Sequence, residues 1–269
     1  MISLKLNRKT KKYVAAPGRR SRKNSIYQPG QKHLFKLSRS KIADYLKCPR
    51  CFFLDRKIGL QRSSIPNFTL NSLTDDLLKL EFDECRLKQI PHPTLIENGL
   101  NNLIPFNHPE IDNWRDALHH GLMHQYKNTN LLLTGAIDDL WIDQITGKLL
   151  VVDYKSCAVK DFSIDSYFDD PFHKSYGQQL DFYNYLLLEM GYKVSKRSFL
   201  LIVNAKKSRK NFNNKLNFTS YLVPYIADIS WIEPAIDNIF ETLNSDVIPE
   251  ANISCENCAY SREYSKLIP

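Results

Sequence analysis

The chain has 269 residues, of which 43% are hydrophobic and 12% aromatic, so it can bury a core and is not globally disordered. No run approaches the length of a membrane-spanning apolar segment, and six cysteines are too few for a disulfide scaffold of this size. The start, MISLKLNRKTKKY, lacks an apolar stretch, so we expect no secretory signal. These features predict a cytoplasmic protein built on one large domain.

The formal charge of +8 is unevenly distributed. Residues 1–43 contain 13 basic residues and no acidic one, whereas the remainder carries 24 basic and 29 acidic residues. Such a leader suits a polyanionic partner, usually nucleic acid, or acts as a solubilising or targeting segment. Because it also contains two Pro-Gly pairs, we predict a flexible basic arm over 1–33 and a folded domain over 34–269.

The first predicted elements are helical. Ser38 or Ser40 can cap a helix that Pro49 interrupts, and the sequence CFFLDRKIGL continues as a second short helix. The next predicted elements are a helix over 70–88, a proline-rich loop over 89–109 and a helix from Ile111 to Leu122.

The periodicity then changes to that of strands. Apolar and β-branched residues predict strands over 131–143 and 148–156, joined by the turn QITG. The later predicted elements are a loop over 157–173, a helix over 175–190 that Gly191 stops, strands over 197–205 and 215–225, a helix from Ser230 to about Leu243, and a terminal loop with cysteines. This order predicts an α/β fold in which helices flank a sheet.

The chemically most distinctive motif is Asp153-Tyr154-Lys155, which follows an apolar run. Burial of that run places a carboxylate and an ammonium together at a sheet edge. There Asp153 and the Tyr154 carbonyl can bind a hard divalent cation, and Lys155 can orient water or stabilise charge on a phosphate. A similar triplet at 55–57 has no partner acid, and we expect it on a solvated helix face.

Asp138 gives this motif its context. A tight hairpin places Asp138 opposite Asp153, and two carboxylates at that distance repel each other unless a cation or a proton lies between them. Asp139 points to the other face, where we expect it to be solvated. Gln179 and Tyr183, one helical turn apart on an otherwise apolar face, can reach this site, although a satisfied helix flank would also explain them.

Three motifs together carry a resemblance: G-A-I-D (135–138), V-V-D-Y-K (151–155) and Q-L-D-F-Y (179–183). They resemble the PD-(D/E)XK nucleases of the RecB type, which include nuclease domains of bacterial recombination helicases and RecB-like exonucleases of CRISPR systems. Residues 37–54 also resemble the lead-in of the iron–sulfur members. The resemblance, over roughly 35–260, implies a restriction-endonuclease-like core, with a mixed central sheet flanked by helices. It also implies a helical N-terminal segment tied to the C-terminus by a four-cysteine metal site.

The same resemblance implies metal-dependent hydrolysis of DNA phosphodiesters, in repair, recombination or defence. By carry-over, Asp138 and Asp153 bind Mg²⁺ or Mn²⁺. Lys155 activates or orients the attacking water, while Gln179 and Tyr183 support the site or contact the phosphate. The expected partner is DNA, including single-stranded ends, with no membrane. Any helicase or repair partner would be a separate chain.

The sequence leaves open which residue before the hairpin is the further metal ligand. RecB-like members carry Gly-x-x-x-His on the preceding helix, where this chain has Asn71-x-x-x-Asp75. We expect Asp75 to replace the histidine as a metal ligand, with Glu81 as the alternative. Three histidines nearer the hairpin are a further option, although we interpret them as solvated or core residues: His119, His120 and His124.

Two CxxC pairs, Cys48-Pro-Arg-Cys51 and Cys255-Glu-Asn-Cys258, are a strong signal for a four-thiolate metal site. Their spacing does not distinguish Zn²⁺ from an iron–sulfur cluster. The resemblance implies [4Fe-4S], usually held by one early and three late cysteines, whereas this two-plus-two division is also the zinc pattern. Either metal would join the first helix to the C-terminus.

Two other classes of function stay open. The missing histidine motivates a catalytically silent nucleic-acid-binding protein that keeps the nuclease fold. The second alternative is a zinc-ribbon-like interaction module, in which the acidic residues would bind only a structural cation. Metal-dependent activity that is lost in Lys155→Ala would reject the silent protein. The interaction module predicts instead that removal of the cysteine-bound metal abolishes partner binding.

Overall fold

The computed structural model of the protein describes residues 4–7, 9–63, 68–207 and 210–268. Two of the basic residues counted above, Arg8 and Arg209, lie outside this part of the chain. The helices are α1 (Arg39–Lys47), α2 (Pro49–Arg56), α3 (Thr69–Lys88), α4 (Pro93–Glu97), α5 (Ile111–Arg115), α6 (Pro171–Glu189), α7 (Ile232–Asn244) and α8 (Glu256–Leu267). The strands are β1 (Phe35–Ser38), β2 (Leu103–Pro105), β3 (Leu122–Gln125), β4 (Leu131–Gly135), β5 (Asp139–Asp143), β6 (Leu149–Cys157), β7 (Arg197–Ala205) and β8 (Phe218–Ile226).

The chain divides into two units. The cysteine unit consists of Met1–Asn67, Gln125–Leu133 and Glu233–Pro269, and the sheet unit consists of Phe68–His124 and Thr134–Ile232. Among the described residues, no helix is both long enough and apolar enough to cross a membrane.

A five-stranded mixed sheet, with strand order β2-β5-β6-β7-β8, organises the sheet unit. Strands β6 and β7 are parallel, and the other neighbours are antiparallel. Helix α6 lies in the connection between β6 and β7, as a parallel pair requires a crossover. Asp139 pairs with Val152, so continuation of this register places Asp138 opposite Asp153, as the hairpin predicts.

Helix α3 packs on this sheet through an aromatic core. Phe82 is fully buried, and its ring stacks on Trp141 of β5 with centroids 5.4 Å apart. Phe82 also contacts Tyr154 of β6, at 5.7 Å between ring centroids. This burial of large rings anchors the C-terminal half of α3, and its N-terminal half extends along the end of β6.

Helix α6 begins earlier than its apolar pattern predicts. The Asp170 side chain accepts a hydrogen bond from the backbone N–H of Phe172 at 2.8 Å, and Pro171 occupies the first turn. A capping aspartate followed by proline is a strong helix start, and it extends the predicted helix by four residues. The helix ends at Glu189, and Gly191, two residues later, has a φ of +88° that stops its continuation.

The cysteine unit contains α1, α2, α7 and α8, and β1 is part of a three-stranded sheet with strand order β1-β4-β3. The chain passes between the units within β3 and β4. Tyr27, from the segment predicted as an arm, is 1% exposed, and its ring meets Phe35 edge to face at 5.3 Å. This part of residues 1–33 therefore contributes to the core of the unit.

Two elements of the structure are absent from the prediction because proline, although a loop signal, also fits at certain positions of helices and strands. Residues 89–109, predicted as a loop, contain the short helix α4 and the strand β2. Pro93 occupies the first turn of α4, where no N–H is needed, and Pro105 lies in an edge strand.

Three further predicted elements differ. The helix predicted to reach Leu122 ends at Arg115, because the Asp116 side chain accepts hydrogen bonds from the backbone of Leu118 and His119 and forms a turn. The single strand predicted over 131–143 is two strands, β4 and β5. The cysteine-bearing end, predicted as a loop, is the helix α8.

Candidate active site and metal centre

The end of β6 presents two faces of different chemistry. Val152 and Tyr154 point into the aromatic core, so Asp153 and Lys155 point to the opposite face. The Lys155 ammonium donates to the Asp153 carboxylate and also lies 3.3 Å from the Tyr154 carbonyl oxygen. Burial alone would lower the pKa of Lys155, but the carboxylates of Asp153 and Asp138 raise it. This lysine therefore stays charged.

Asp138 stands across from this pair. Its Oδ2 accepts a hydrogen bond from the backbone N–H of Tyr154 at 2.9 Å. Burial and the nearby charge of Asp153 raise the pKa of Asp138 to about 7. A bound cation would stabilise the ionised form of this buried carboxylate.

Gln179 and Tyr183 back the site from α6. The Gln179 side-chain amide donates to Asp153 Oδ1 at 2.7 Å and to the Tyr183 hydroxyl oxygen at 3.0 Å. Both side chains are buried, and Asp153 is fully buried between Gln179 and Lys155. This pair therefore fixes the orientation of the Asp153 carboxylate.

Helix α3 adds a third carboxylate and a second lysine. Lys79 Nζ lies 2.7 Å from Asp75 Oδ2 and 3.8 Å from Asp138 Oδ1. Burial and the Asp138 carboxylate raise the pKa of Asp75. Within the described residues, the other carboxylate oxygen of Asp75, Oδ1, is buried and has no hydrogen-bond partner.

Asp75, Asp138 and Lys155 line a pocket of about 310 Å³ that lies wholly within the sheet unit. The polar and aromatic residues of its wall are Asn71, Ser72, Thr74, Asp75, Asp138, Tyr154, Lys155, Ser156 and Tyr176. The acids of the pocket form no compact ligand group among the described residues, and two lysines lie among them instead.

Asp139 is not solvated, so that prediction is wrong. It is 0% exposed, and its carboxylate accepts hydrogen bonds from Arg86, from Arg115 at 3.0 Å and from the Tyr154 hydroxyl at 2.8 Å. Arg86 comes from α3 and Arg115 from α5. The face opposite the pocket therefore holds a buried charge network.

Arg115 connects that network to the pocket. Its Nε donates to the Asp138 carbonyl oxygen at 3.0 Å, and its Nη1 contacts both carboxylate oxygens of Asp83, at 3.0 and 2.8 Å. Asp83 lies two helical turns beyond Asp75 on α3. One guanidinium thus fixes the backbone of Asp138 relative to the helix that carries Asp75.

The alternative ligands lie elsewhere. The Glu81 side chain is 63% exposed and lies 3.6 Å from His92. His119 and His120 are exposed in the turn after α5, and His124 is 3.3 Å from Glu189. None of these side chains lines the pocket described above.

Sequence reasoning missed Tyr176, which lines the pocket, and Lys79, which lies near two of its acids. Each could have been found from helical spacing, because Lys79 follows Asp75 by four residues and Tyr176 precedes Gln179 by three. Arg115 carried no such signal, since its partners are distant in sequence.

The four cysteines of the two CxxC pairs come together in the cysteine unit. All four sulfur atoms lie within 4.8 Å of one another. Cys51 Sγ is 3.5 Å from the sulfurs of Cys255 and Cys258, and Cys48 Sγ is 3.8 Å from that of Cys258. Cys48 joins α1 to α2, and Cys255 is the N-cap of α8, so the cluster ties these three helices together.

Burial, backbone hydrogen bonds and the neighbouring sulfurs change the pKa values of these thiols. Burial alone would raise the pKa of Cys48, but hydrogen bonds from the backbone of Cys51 and Asn252 lower it to about 7. Burial and the neighbouring sulfurs raise the pKa of Cys51 far above its ordinary value. Four thiolates so close together need a cation to be stable.

The donor atoms of both sites are of the kinds that the expected metals prefer. The pocket offers carboxylate oxygens, which suit Mg²⁺ or Mn²⁺, and the unpartnered Asp75 Oδ1 is a ligand atom that a cation would satisfy. The cysteine cluster offers four soft sulfur ligands, which suit zinc or iron.

The model of the PD-(D/E)XK nuclease superfamily matches residues 105–262, which is more than half of the chain. The chain belongs to the PD-(D/E)XK nuclease superfamily. The matched range contains β5, β6 and α6, and therefore the carboxylates and the lysine at the end of β6. Helix α3 and the first CxxC pair lie outside it.

Other comparisons add little to this family membership. No curated protein matches the chain significantly. Among solved structures, the crystal structure of SSO0001 aligns with a TM-score of 0.35 and 12% sequence identity, over 87% of each chain. A similarity this distant carries no argument about function.

Proposed function

We propose that this PD-(D/E)XK protein is a Mg²⁺- or Mn²⁺-dependent deoxyribonuclease of the RecB-like branch, acting in repair, recombination or defence. The observation that carries the proposal is the arrangement at the end of β6. There Asp153 and Lys155 face Asp138 across the hairpin, and Lys155 and Asp138 line a pocket of about 310 Å³. This combination of acids and a charged lysine suits hydrolysis of a phosphodiester.

The residues that would hold the catalytic metal are Asp138 and Asp153, with Asp75 from α3 as a third ligand. When bound, Mg²⁺ or Mn²⁺ supplies positive charge and lowers the pKa of a coordinated water. Within the protein, Lys79 and Lys155 neutralise part of the acidic charge, so the pocket does not repel a phosphate outright.

Lys155 is the residue proposed to act directly on the attacking water and the phosphate. Its ammonium is held by Asp153 and stays protonated, so it can orient the attacking water and stabilise charge on the phosphate oxygens. Gln179 positions the Asp153 carboxylate, and Tyr183 in turn accepts a hydrogen bond from Gln179. Both are positioning residues in this proposal.

DNA is the proposed substrate because the family consists of nucleases and the leader of this chain is basic. Positions 1–43 hold 13 basic residues, and those not paired with acids of the protein, as Arg20 and Lys41 are, would neutralise backbone phosphates without reading sequence. We propose that residues 1–33 act as a basic arm for this purpose, with any helicase or repair partner on a separate chain.

We propose that the cysteine cluster binds one zinc ion. A tetrahedral ion with Zn–S bonds of about 2.3 Å separates its sulfur ligands by roughly 3.8 Å. Three of the six sulfur pairs here are 3.5–3.8 Å apart, and all four sulfurs lie within 4.8 Å of one another. In a [4Fe-4S] cluster each thiolate binds a different iron, which requires a wider separation. A colourless anaerobic preparation with one zinc per chain would support this choice, and a brown one with four irons would establish the cluster.

The test of nuclease function is cleavage of end-labelled single- and double-stranded DNA with added Mg²⁺ or Mn²⁺. We expect wild type to cleave, and we expect Asp153→Asn and Lys155→Met each to lose about 100-fold or more in rate. The matched control is Asp112→Asn, because that side chain is 91% exposed and outside the pocket, and it should cleave like wild type.

The second candidate function is a silent nucleic-acid-binding protein. The position of Lys79 favours it, because this ammonium lies 3.8 Å from Asp138 and pairs with Asp75. Asp75 stands where the resembled nucleases carry a helix histidine. Absence of cleavage by wild type with its cysteine-bound metal intact, together with retained DNA binding, would select this function.

A further inference from the structure

One face of α6 leads from solvent into the pocket. Phe172, Tyr176, Gln179 and Tyr183 follow one another at intervals of four, three and four residues, which places them on the same side of the helix. At the inner end Gln179 holds Asp153. At the outer end Phe172 lies in the first helical turn and is 67% exposed.

The rings on this face are held in place. Tyr176 lines the pocket, with Lys155 Nζ 5.1 Å from its ring centroid, and Phe172 meets Tyr176 edge to face at 5.7 Å. Behind them, the His173 ring stacks on the buried Tyr167 at 4.0 Å and 2°, and His173 Nδ1 is 2.8 Å from the Tyr167 carbonyl oxygen. A large exposed ring on such a support loses little entropy when it binds a flat ligand.

We propose that the ring of Phe172, with Tyr176 beside it, is a stacking subsite for a base of single-stranded nucleic acid. This proposal rests on the proposed nuclease function and names the form of its substrate. The seven residues from Phe172 to Gln179 rise about 10.5 Å along the helix. A base on Phe172 therefore belongs to a nucleotide close to the one whose phosphate lies at Lys155.

The strand must be unpaired because a base inside a duplex has both faces covered by its neighbours. A single-stranded base exposes its face, and stacking on an aromatic side chain is tolerant of base identity. Phe172 has no hydrogen-bonding group on its ring, so the subsite selects single strands without selecting sequence. Its continuity with the pocket, and the Lys155 cation next to Tyr176, favour a nucleotide chain over an apolar partner.

The experiment measures binding without cleavage. The full-length protein, with its cysteine-bound metal and no added Mg²⁺ or Mn²⁺, is titrated into labelled oligothymidylate. It is also titrated into an abasic oligomer of the same length, which keeps the phosphates but lacks the bases. We expect Phe172→Ala to weaken binding to oligothymidylate by about 5- to 150-fold and to leave binding to the abasic oligomer unchanged.

Two further variants separate stacking from general apolar contact. Phe172→Trp should bind oligothymidylate at least as well as wild type, whereas Phe172→Leu should resemble Phe172→Ala. Tyr260→Ala is the matched control, because Tyr260 is a 72% exposed aromatic residue on α8, and it should bind like wild type.

Other outcomes overturn the subsite. They are equal binding of both oligomers by wild type, an unchanged affinity in Phe172→Ala, or an equal loss for both oligomers in that variant. Failure of the nuclease function is distinguishable, because it appears as no cleavage with added metal while the preference for bases over abasic sites persists.

Discussion

Asp139 contributes to this protein through charge burial, although it lies next to a proposed metal ligand. It is fully buried and accepts hydrogen bonds from two arginines and a tyrosine, so its lone pairs are well used. Burial raises the pKa of the Tyr154 hydroxyl well above its ordinary value, and the Asp139 carboxylate raises it further, so the hydroxyl stays a donor. Both oxygens of the Asp139 carboxylate therefore accept hydrogen bonds within the core.

Loss of this one charge should be costly. In Asp139→Asn, Arg86 and Arg115 keep their buried charges with only the partly exposed Asp83 carboxylate left to share between them. The free energy of unfolding should therefore fall by about 3 kcal/mol. The control is Asp112→Asn, since Asp112 also faces Arg115, at 3.9 Å, but is 91% exposed; its change should stay within about 0.5 kcal/mol. Urea unfolding monitored by circular dichroism measures both, and equal small effects would contradict the buried network.

Asp138 should make metal binding depend on pH. Its pKa is raised to about 7, so below that pH a cation must displace a proton. The affinity for Mn²⁺ should therefore fall by up to about tenfold per pH unit below about pH 7 and level off above it. Without metal the same shift acts against folding, because ionisation of Asp138 costs the folded state stability as pH rises from about 4 to 7.

The measurement is the dissociation constant of Mn²⁺ by electron paramagnetic resonance across that pH range. Asp138→Asn is the control, because it removes the titrating group and should flatten the acid limb while it weakens binding overall. An affinity that does not change with pH in wild type would show that Asp138 is ionised throughout and would remove the proposed competition between proton and metal.

At the scale of elements, α3 couples the pocket to the core. Phe82 packs against Trp141, while Asp75 and Lys79, earlier on the same helix, face Asp138. Asp83 extends the coupling through Arg115 to the backbone of Asp138. Packing of one helix thus sets the distance between the third carboxylate and the two acids of the hairpin.

Lys79 competes with a metal for these acids. In Lys79→Met the ammonium between Asp75 and Asp138 is lost, so Mn²⁺ should bind more tightly, by about tenfold for a partly exposed pair of this kind. Lys88→Met is the matched control, because Lys88 forms an exposed pair with Glu84 on the same helix with the same spacing. Isothermal titration calorimetry compares the two, and weaker binding in Lys79→Met would mean that Lys79 holds Asp75 in place for the metal.

The elements that sequence could predict are those set by local pattern. The hairpin of β5 and β6 follows from a tight turn between apolar runs, and its register alone brings Asp138 opposite Asp153. The burial of Asp139 could not be predicted, because its partners Arg86 and Arg115 come from helices 53 and 24 residues away. A charged residue next to a strand is normally solvated, and tertiary pairing reversed that preference here.

At the scale of the whole molecule, charge is separated along the chain. Residues 1–43 hold 13 basic residues, whereas the rest is acidic overall. Part of this leader is structural, since Tyr27 is buried and Arg20 pairs with Asp55 at 2.6 Å. Asp55 is 3% exposed, so the prediction that residues 55–57 lie on a solvated helix face is wrong for this residue. The described residues before Pro17 are all exposed, so this first part can contact phosphates without loss of the core.

Removal of residues 1–16 tests whether this exposed segment contacts phosphates without contributing to stability. The segment carries five basic residues, and each phosphate contact on a single strand contributes about 0.7 to the slope of log affinity against log salt. The truncated protein should bind oligothymidylate more weakly, with a slope smaller by about 1 to 3.5, and should unfold at the same temperature as the full chain. Fluorescence anisotropy at several salt concentrations gives the slope, and an unchanged slope would show that these cations do not contact the strand.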